Sequence, residues 1–292
     1  MKTSIKSLMF IAKLAFVFVL FNFLAACSEN NKNTTIRVSF LPDSSKSQLD
    51  KRYNALLNYV AEKTGLRFEI IYANSYQDLY DKFLNKEIDL ANFGGVTYVK
   101  AHLKAKGEAL IFRDVDERFY SVVIVKKTHP AKTLADLKDT YFSFGAKLST
   151  SGHLMPRYFF SQLNIEPETF FKKISYSGSH YNTAKLVTEG KVSAGSANAE
   201  IINRMLSDGR INKNSIRILW TSPPYPDYVW TVQANISDET KNKIRDAFLS
   251  LSQNNPEHSK ILKDVGAKYF LPATHENFVT LEDILKKSEL LK

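Results

Sequence analysis

The chain's 292 residues carry 40 Lys and Arg against 30 Asp and Glu, a formal charge of +10, with 44% apolar residues and a single cysteine. One cysteine excludes an internal disulfide and a multi-cysteine zinc site. The basic excess is spread along the chain without the runs of Lys or Arg interleaved with aromatics that track nucleic acid. Nucleic acid is therefore not an expected partner, and the charge suits a small anion or a membrane surface.

Lys2 and Lys6 precede an apolar run from Leu14 to Leu24. That run is short for a bilayer span, which needs about 20 residues, and is right for the core of a signal peptide. It ends in Leu24-Ala25-Ala26-Cys27, which resembles a bacterial lipobox. Residues 1–26 are thus expected to be a lipoprotein signal peptide, Cys27 the lipidated first residue of the mature chain, and residues 27–34 a polar tether. The mature protein is expected outside the cytoplasm, lipid-anchored on the periplasmic or cell-surface side of a bacterial membrane. Ser28 leaves open which membrane holds the lipid. Removal of Lys2, Lys6 and Lys13 leaves 37 basic against 30 acidic residues.

After the tether, Ile36–Phe40 alternates as a strand, and Tyr53, Leu56, Leu57 and Val60 recur at helical spacing up to a capping Gly65. A strand over Arg67–Tyr72, a helix carrying Leu79, Tyr80, Phe83 and Leu84, a strand over Ile88–Phe93 and a helix over Val96–Ala105 follow. This alternation predicts a mostly parallel sheet covered by helices, with ligand sites at the carboxyl ends of strands. Ala109–Phe112 and Phe119–Val125 read as strands, and Pro130 opens a new section. There a second alternating block begins: strand Tyr141–Gly145, helix Gly152–Leu163, strand Ile174–Tyr176, helix Tyr181–Glu189, strand Val192–Gly195, a helix through Met205 and strand Ile216–Trp220. Strand Tyr228–Gln233 returns the chain to the first block, which three further helices complete. The expectation is an α/β protein with residues 35–127 and 232–292 in lobe I and 128–231 in lobe II, joined near residues 127 and 231.

The segment Phe144-Gly145-Ala146-Lys147-Leu148-Ser149-Thr150-Ser151-Gly152-His153 carries the chemistry. Ser149, Thr150 and Ser151 occupy a strand-to-helix turn whose N–H groups have no intrahelical partner, so the turn suits an anion. The same residues also make an ordinary N-cap.

The run Ser149 to Phe159 resembles the signature of phosphate/phosphite/phosphonate-binding proteins of ABC importers, the PhnD type. Asp89 to Tyr98, Ser177 to Ala184, Ala194 to Asn198 and Pro223 to Asp227 match in order and spacing, across nearly the whole mature chain. The resemblance implies a two-lobed type II periplasmic-binding-protein fold with a hinge and an interlobe cleft. It implies a solute-binding component of an ABC importer, whose partners are a small phosphorus oxyanion (phosphonate, phosphite or phosphate) and a transporter permease. A monomer without a cofactor is expected. By motif, Ser149, Thr150, Ser151 and His180 would donate to phosphorus oxygens. Asp227, which can only accept when ionised, would require a protonated ligand oxygen and so reject sulfate. Tyr76, Phe93, Tyr98, Tyr225 and Trp230 are candidates for an apolar wall against a non-bonding substituent. Asn198 and Glu200 are candidates to meet a ligand ammonium. Gly95 stands where the family commonly has proline, and Ser193 where aspartate is common.

Two other readings keep the same residues. The fold could report a bound small anion to a membrane kinase. Alternatively, Ser149 or Ser151, His180 and Asp227 could be recast as nucleophile, base and orienter of a phosphoester or phosphonate hydrolase. There is no G-x-S-x-G elbow, and the histidines at 102, 129, 153, 180, 258 and 275 lack metal-ligand spacing with acids, so neither catalysis nor a metal is expected.

Overall fold

The computed structural model describes residues 35–288, and the expectations for the leader, Cys27 and the tether fall outside them. Among the described residues no helix is long and apolar enough to cross a membrane. The chain builds β1 (Thr35–Phe40), α1 (Lys46–Thr64), β2 (Arg67–Ile70), α2 (Tyr76–Leu84), β3 (Leu90–Phe93), α3 (Gly95–Ala105) and β4 (Glu108–Arg113). In α1 the buried face is Leu49, Tyr53, Leu56, Leu57 and Val60, and Gly65 ends the helix at a φ of 71°, where a residue without Cβ carries no penalty.

Next come β5 (Ser121–Lys126), β6 (Tyr141–Phe144), α4 (Met155–Gln162), a single turn α5 (Pro167–Phe170), β7 (Lys173–Tyr176), α6 (His180–Glu189), β8 (Ala194–Asn198), α7 (Ala199–Ser207) and β9 (Ile216–Thr221). The chain closes with β10 (Val229–Val232), α8 (Asp238–Leu249), α9 (Pro256–Val265), β11 (Phe270–Pro272) and α10 (Val279–Lys286).

Two sheets result, in the orders β11-β4-β10-β3-β1-β2 and β7-β6-β8-β5-β9. In the first, β1 pairs in parallel with β2 and β3, while β10 is antiparallel to both β3 and β4. In the second, β6 pairs in parallel with β7 and β8, while β5 is antiparallel to β8 and β9. In each sheet the first strand laid down after the chain crosses from the other lobe, β10 or β5, runs antiparallel to its neighbours, and in the first sheet β11 at the edge is antiparallel to β4 as well.

This pairing corrects the expected lobe boundary. β5 belongs to the second sheet, so the first crossing lies at residues 114–120 rather than near 127. β10 belongs to the first sheet from Val229, which puts the second crossing at 222–228. The apolar run Val122–Val125 announces a buried strand, but nothing in its pattern says which sheet it enters. The crossings are laced together. Phe119 and Tyr225 exchange backbone N–H···O bonds at 2.7 and 3.1 Å, and the Asp227 N–H donates to the Asp116 carbonyl at 3.0 Å. Asp227 therefore sits on the ribbon that joins the lobes.

Candidate ligand site

The strand β6 ends at Phe144, and the chain turns through Gly145–Ser149 into a π-helical turn, Thr150–Leu154, that continues as α4. Ser149 is its N-cap, and its Oγ accepts from the Gly152 N–H at 2.9 Å. Gly145 donates to the Gly152 carbonyl at 2.8 Å, so the two backbones touch, and a Cβ on Gly152 would lie 3.1 Å from the Gly145 Cα. Thr150 and Ser151 occupy the first turn, where a helix supplies no acceptor for their N–H groups. The sequence had placed a plain helix over Gly152–Leu163; the wider turn at its start is new.

His180 is the first residue of α6, capped by Ser179. The Asn198 backbone N–H donates to His180 Nδ1 at 3.2 Å, so in the neutral ring the proton is on Nε2, which faces the Tyr76 hydroxyl at 3.4 Å. Burial pushes the His180 pKa down to about 4, so the ring is neutral at physiological pH. It touches the turn: a Cβ on Gly152 would sit 3.1 Å from His180 Cε1.

From the lobe I side, Asp227 Oδ1 accepts from the Gly95 N–H at 2.8 Å, and the Val96 N–H donates to Thr150 Oγ1 at 3.0 Å. Gly94 lies between the two acceptors; a Cβ there would be 3.3 Å from each. A proline at 95 would lack the N–H that Asp227 receives, so the glycine at this position has a chemical consequence. Asp227 Oδ2 is buried and has no hydrogen-bond partner among the described residues. Burial raises the Asp227 pKa to about 7, and Asp116 adds to the rise. The Gly95 N–H and the nearby Thr150 and Ser151 hydroxyls oppose it. Ser149, Thr150, Ser151, His180 and Asp227 are each 2% exposed or less, so the lobes are closed over them.

The other candidates divide. Tyr76 opens α2 and reaches His180. Tyr225 is buried, its hydroxyl 2.6 Å from Ser121 Oγ and adjacent to Ser151. Asn198 caps α7 by accepting from the Ile201 N–H, and its amide donates to the Tyr228 hydroxyl at 3.2 Å, so its role is to frame His180. Glu200 is a half-exposed residue in the first turn of α7.

The remaining three candidates pack elsewhere. Trp230 stacks edge-on against Phe40, Tyr53 and Phe248 in the core under α1 and α8. The Tyr98 hydroxyl lies 3.1 Å from His275 Nδ1, with its ring on Phe278. Phe93 packs edge-on against Phe83. For Phe93 and Trp230 the reason is alternation, since successive strand residues point to opposite faces, whereas Tyr98 lies on α3 and turns toward Phe278 and His275. Reading residues alone also missed Tyr228 and the Gly95 amide, neither of which sits in a pattern that distinguishes it from core or loop.

Comparison with known proteins matches residues 38–278 to the periplasmic substrate-binding protein family of phosphonate ABC transporters. The chain belongs to this family. It is 31% identical, over 86% of its length and 89% of the relative's, to a probable ABC transporter phosphite-binding protein, PhnD1, of Prochlorococcus marinus (strain MIT 9301). It is 25% identical, over 96% of its length and 85% of the relative's, to the phosphonates-binding periplasmic protein of Escherichia coli (strain K12). The solved structure of P. marinus PhnD1 in complex with methylphosphonate superposes with a TM-score of 0.81 at 30% identity, covering 88% of this chain and 98% of that one. The two-lobed type II fold expected from the sequence is the fold observed, and as a family member the protein is a binding component of a transporter.

Proposed function

We propose that the cleft binds one small phosphorus oxyanion, a phosphonate, phosphite or phosphate, and that closure delivers it to the permease of an ABC importer. The observation that carries this reading is the buried convergence of three kinds of group. The hydroxyl-lined turn Ser149–Ser151 and His180 Nε2–H supply donors, and the unpartnered Asp227 Oδ2 supplies an acceptor. Donors alone would suit any oxyanion. The lone acceptor needs a ligand P–OH, because leaving it buried and unpaired costs about 1–3 kcal/mol.

One proton between Asp227 and ligand satisfies the pair, on either partner. Sulfate at pH 8 brings no proton to an ionised Asp227, so two anions would face each other. Below about pH 7 Asp227 itself carries the proton, and exclusion of sulfate weakens. Tyr76 and Tyr225 supply ring surface beside the donors. Of the five proposed wall residues, these two fit.

The chain is read as a monomer, exported and held by lipid on Cys27, which rests on the sequence alone. A hydrolase gains no support from the geometry, since Nδ1 of His180 is held by a backbone amide and not by Asp227. Calorimetry with phosphate, phosphite, methylphosphonate and 2-aminoethylphosphonate at pH 7.5 tests the proposal. At least one is expected to bind one-to-one, with affinity at least tenfold weaker in Ser151→Ala/His180→Ala. Undiminished affinity in that variant refutes the site.

A further inference from the structure

A different part of the interlobe seam carries an excess of arginine. Arg52 on α1 and Arg113 at the end of β4 belong to lobe I, and each is committed to its own carboxylate. Arg52 pairs with Asp43 at 3.1 Å and Arg113 with Asp116 at 2.6 Å. Arg204 on α7 reaches them from lobe II. A Cβ on Gly266 would lie 2.6 Å from Arg204 Nη2 and 3.5 Å from Arg113 Nη1, which puts the two guanidinium groups side by side. Among the described residues Arg204 has no carboxylate within ion-pair distance. The carboxylates at this rim are engaged elsewhere: Asp208 with Arg210 at 2.8 Å and Asp264 with Lys260 at 3.3 Å.

Gln48, Lys51, Arg52, Arg204 and Arg210, with Asp208 and Asp264, line a cavity of about 180 Å³. That is several times the ~30 Å³ a water molecule takes up in the liquid. Pairing off the ions leaves Arg204 and Lys51 as its uncompensated cations. Burial and the charges of Arg52 and Arg113 lower the Arg204 pKa, the direction expected of a cation that lacks a counter-ion. A lone partly buried guanidinium held against two others opposes closure, and a bound anion offsets that repulsion.

We infer that this seam is a second anion site, distinct from the cleft, in which Arg204 of lobe II, with Lys51 of lobe I, holds a small inorganic anion such as sulfate or chloride across the closed lobes. The assignment does not rest on the identity of the cleft ligand.

Calorimetric titration with sodium sulfate at pH 8 and constant ionic strength tests it, with ionised Asp227 keeping sulfate out of the cleft. Wild type is expected to bind one sulfate saturably, Arg204→Gln at least tenfold more weakly, and Lys51→Gln, on an exposed side chain that does not disturb packing, several-fold more weakly. Ser151→Ala/His180→Ala is expected to bind sulfate as wild type does. Absence of saturable binding to wild type, equal binding by Lys51→Gln and Arg204→Gln to that of wild type, or loss of binding in the cleft variant overturns the proposal. In the last case sulfate occupies the cleft, and the cleft reading survives while this one fails.

Discussion

Two turns face each other across the closed seam, and they have the same construction. In lobe I, β3 ends at Phe93 and Gly94-Gly95 leads into α3; in lobe II, β6 ends at Phe144 and Ser149-Thr150 leads into the π-helical turn and α4. Both present helix N-terminal donors at strand ends, where an α/β sheet places its ligand sites. The lobe I turn gives its N–H groups to protein acceptors from outside its own lobe: Gly95 to Asp227 and Val96 to Thr150. In the lobe II turn the N–H groups of Thr150 and Ser151 have no intrahelical acceptor, and both residues are buried beneath the closed seam. The same local geometry therefore serves once as a latch and once as a receptor. What separates them is the side chain that arrives opposite, not the turn.

The variants that break this comparison most strongly act on the receptor side. Ser151→Ala/His180→Ala removes two donors to an anion, each worth about 1.5–3 kcal/mol, so methylphosphonate affinity should fall by at least roughly 100-fold in calorimetry. A fall of less than tenfold would mean that the turn is not the receptor.

Asp227 comes next. Its folded pKa of about 7 is raised above the ordinary 3.8. Between those values the folded chain holds a proton that the unfolded chain has released, so the stability Asp227 contributes is complete below about pH 4. It is lost as pH rises to 7. His180 works in the opposite sense. Its pKa lies near 4, below the usual 6.5, so its contribution is lost as pH falls through that window. Comparing wild type with Asp227→Asn separates them. The ligand-free wild type should lose a few kcal/mol relative to the variant between pH 4 and 7 in urea unfolding. Parallel pH profiles would show that Asp227 titrates normally.

On the latch side, Thr150→Val leaves the buried Val96 N–H without an acceptor, at a cost of about 1–3 kcal/mol. Thr150→Ser keeps that acceptor. Small-angle scattering of the ligand-free protein should show more open lobes for the valine variant and the wild-type profile for serine. Equal profiles would remove the latch.

The smallest effect is expected at Glu200, half-exposed at the start of α7. Glu200→Ala should change affinity for 2-aminoethylphosphonate less than twofold, and a tenfold loss would restore it as a ligand residue.

Much of this was legible in the residues. Helical spacing in Tyr53, Leu56, Leu57 and Val60, and the strand-turn-helix reading of Phe144 to His153, follow from local sequence and are seen in place. What was not legible depends on long-range pairing. The sheet that β5 joins, the packing of Trp230 against Phe40 and Tyr53 and the donor role of the Gly95 amide arise from segments far apart in the chain. The family resemblance of the motifs nominated His180 and Asp227. It could not tell that an Asn198 amide sets the His180 tautomer, since a backbone N–H leaves no mark in a sequence.

The most direct measurement is the ³¹P NMR spectrum of methylphosphonate with one equivalent of protein at pH 7.5. The account predicts a bound resonance displaced from that of free ligand in wild type and absent in Ser151→Ala/His180→Ala. The same displaced resonance in both proteins would place the phosphorus away from the turn and contradict it.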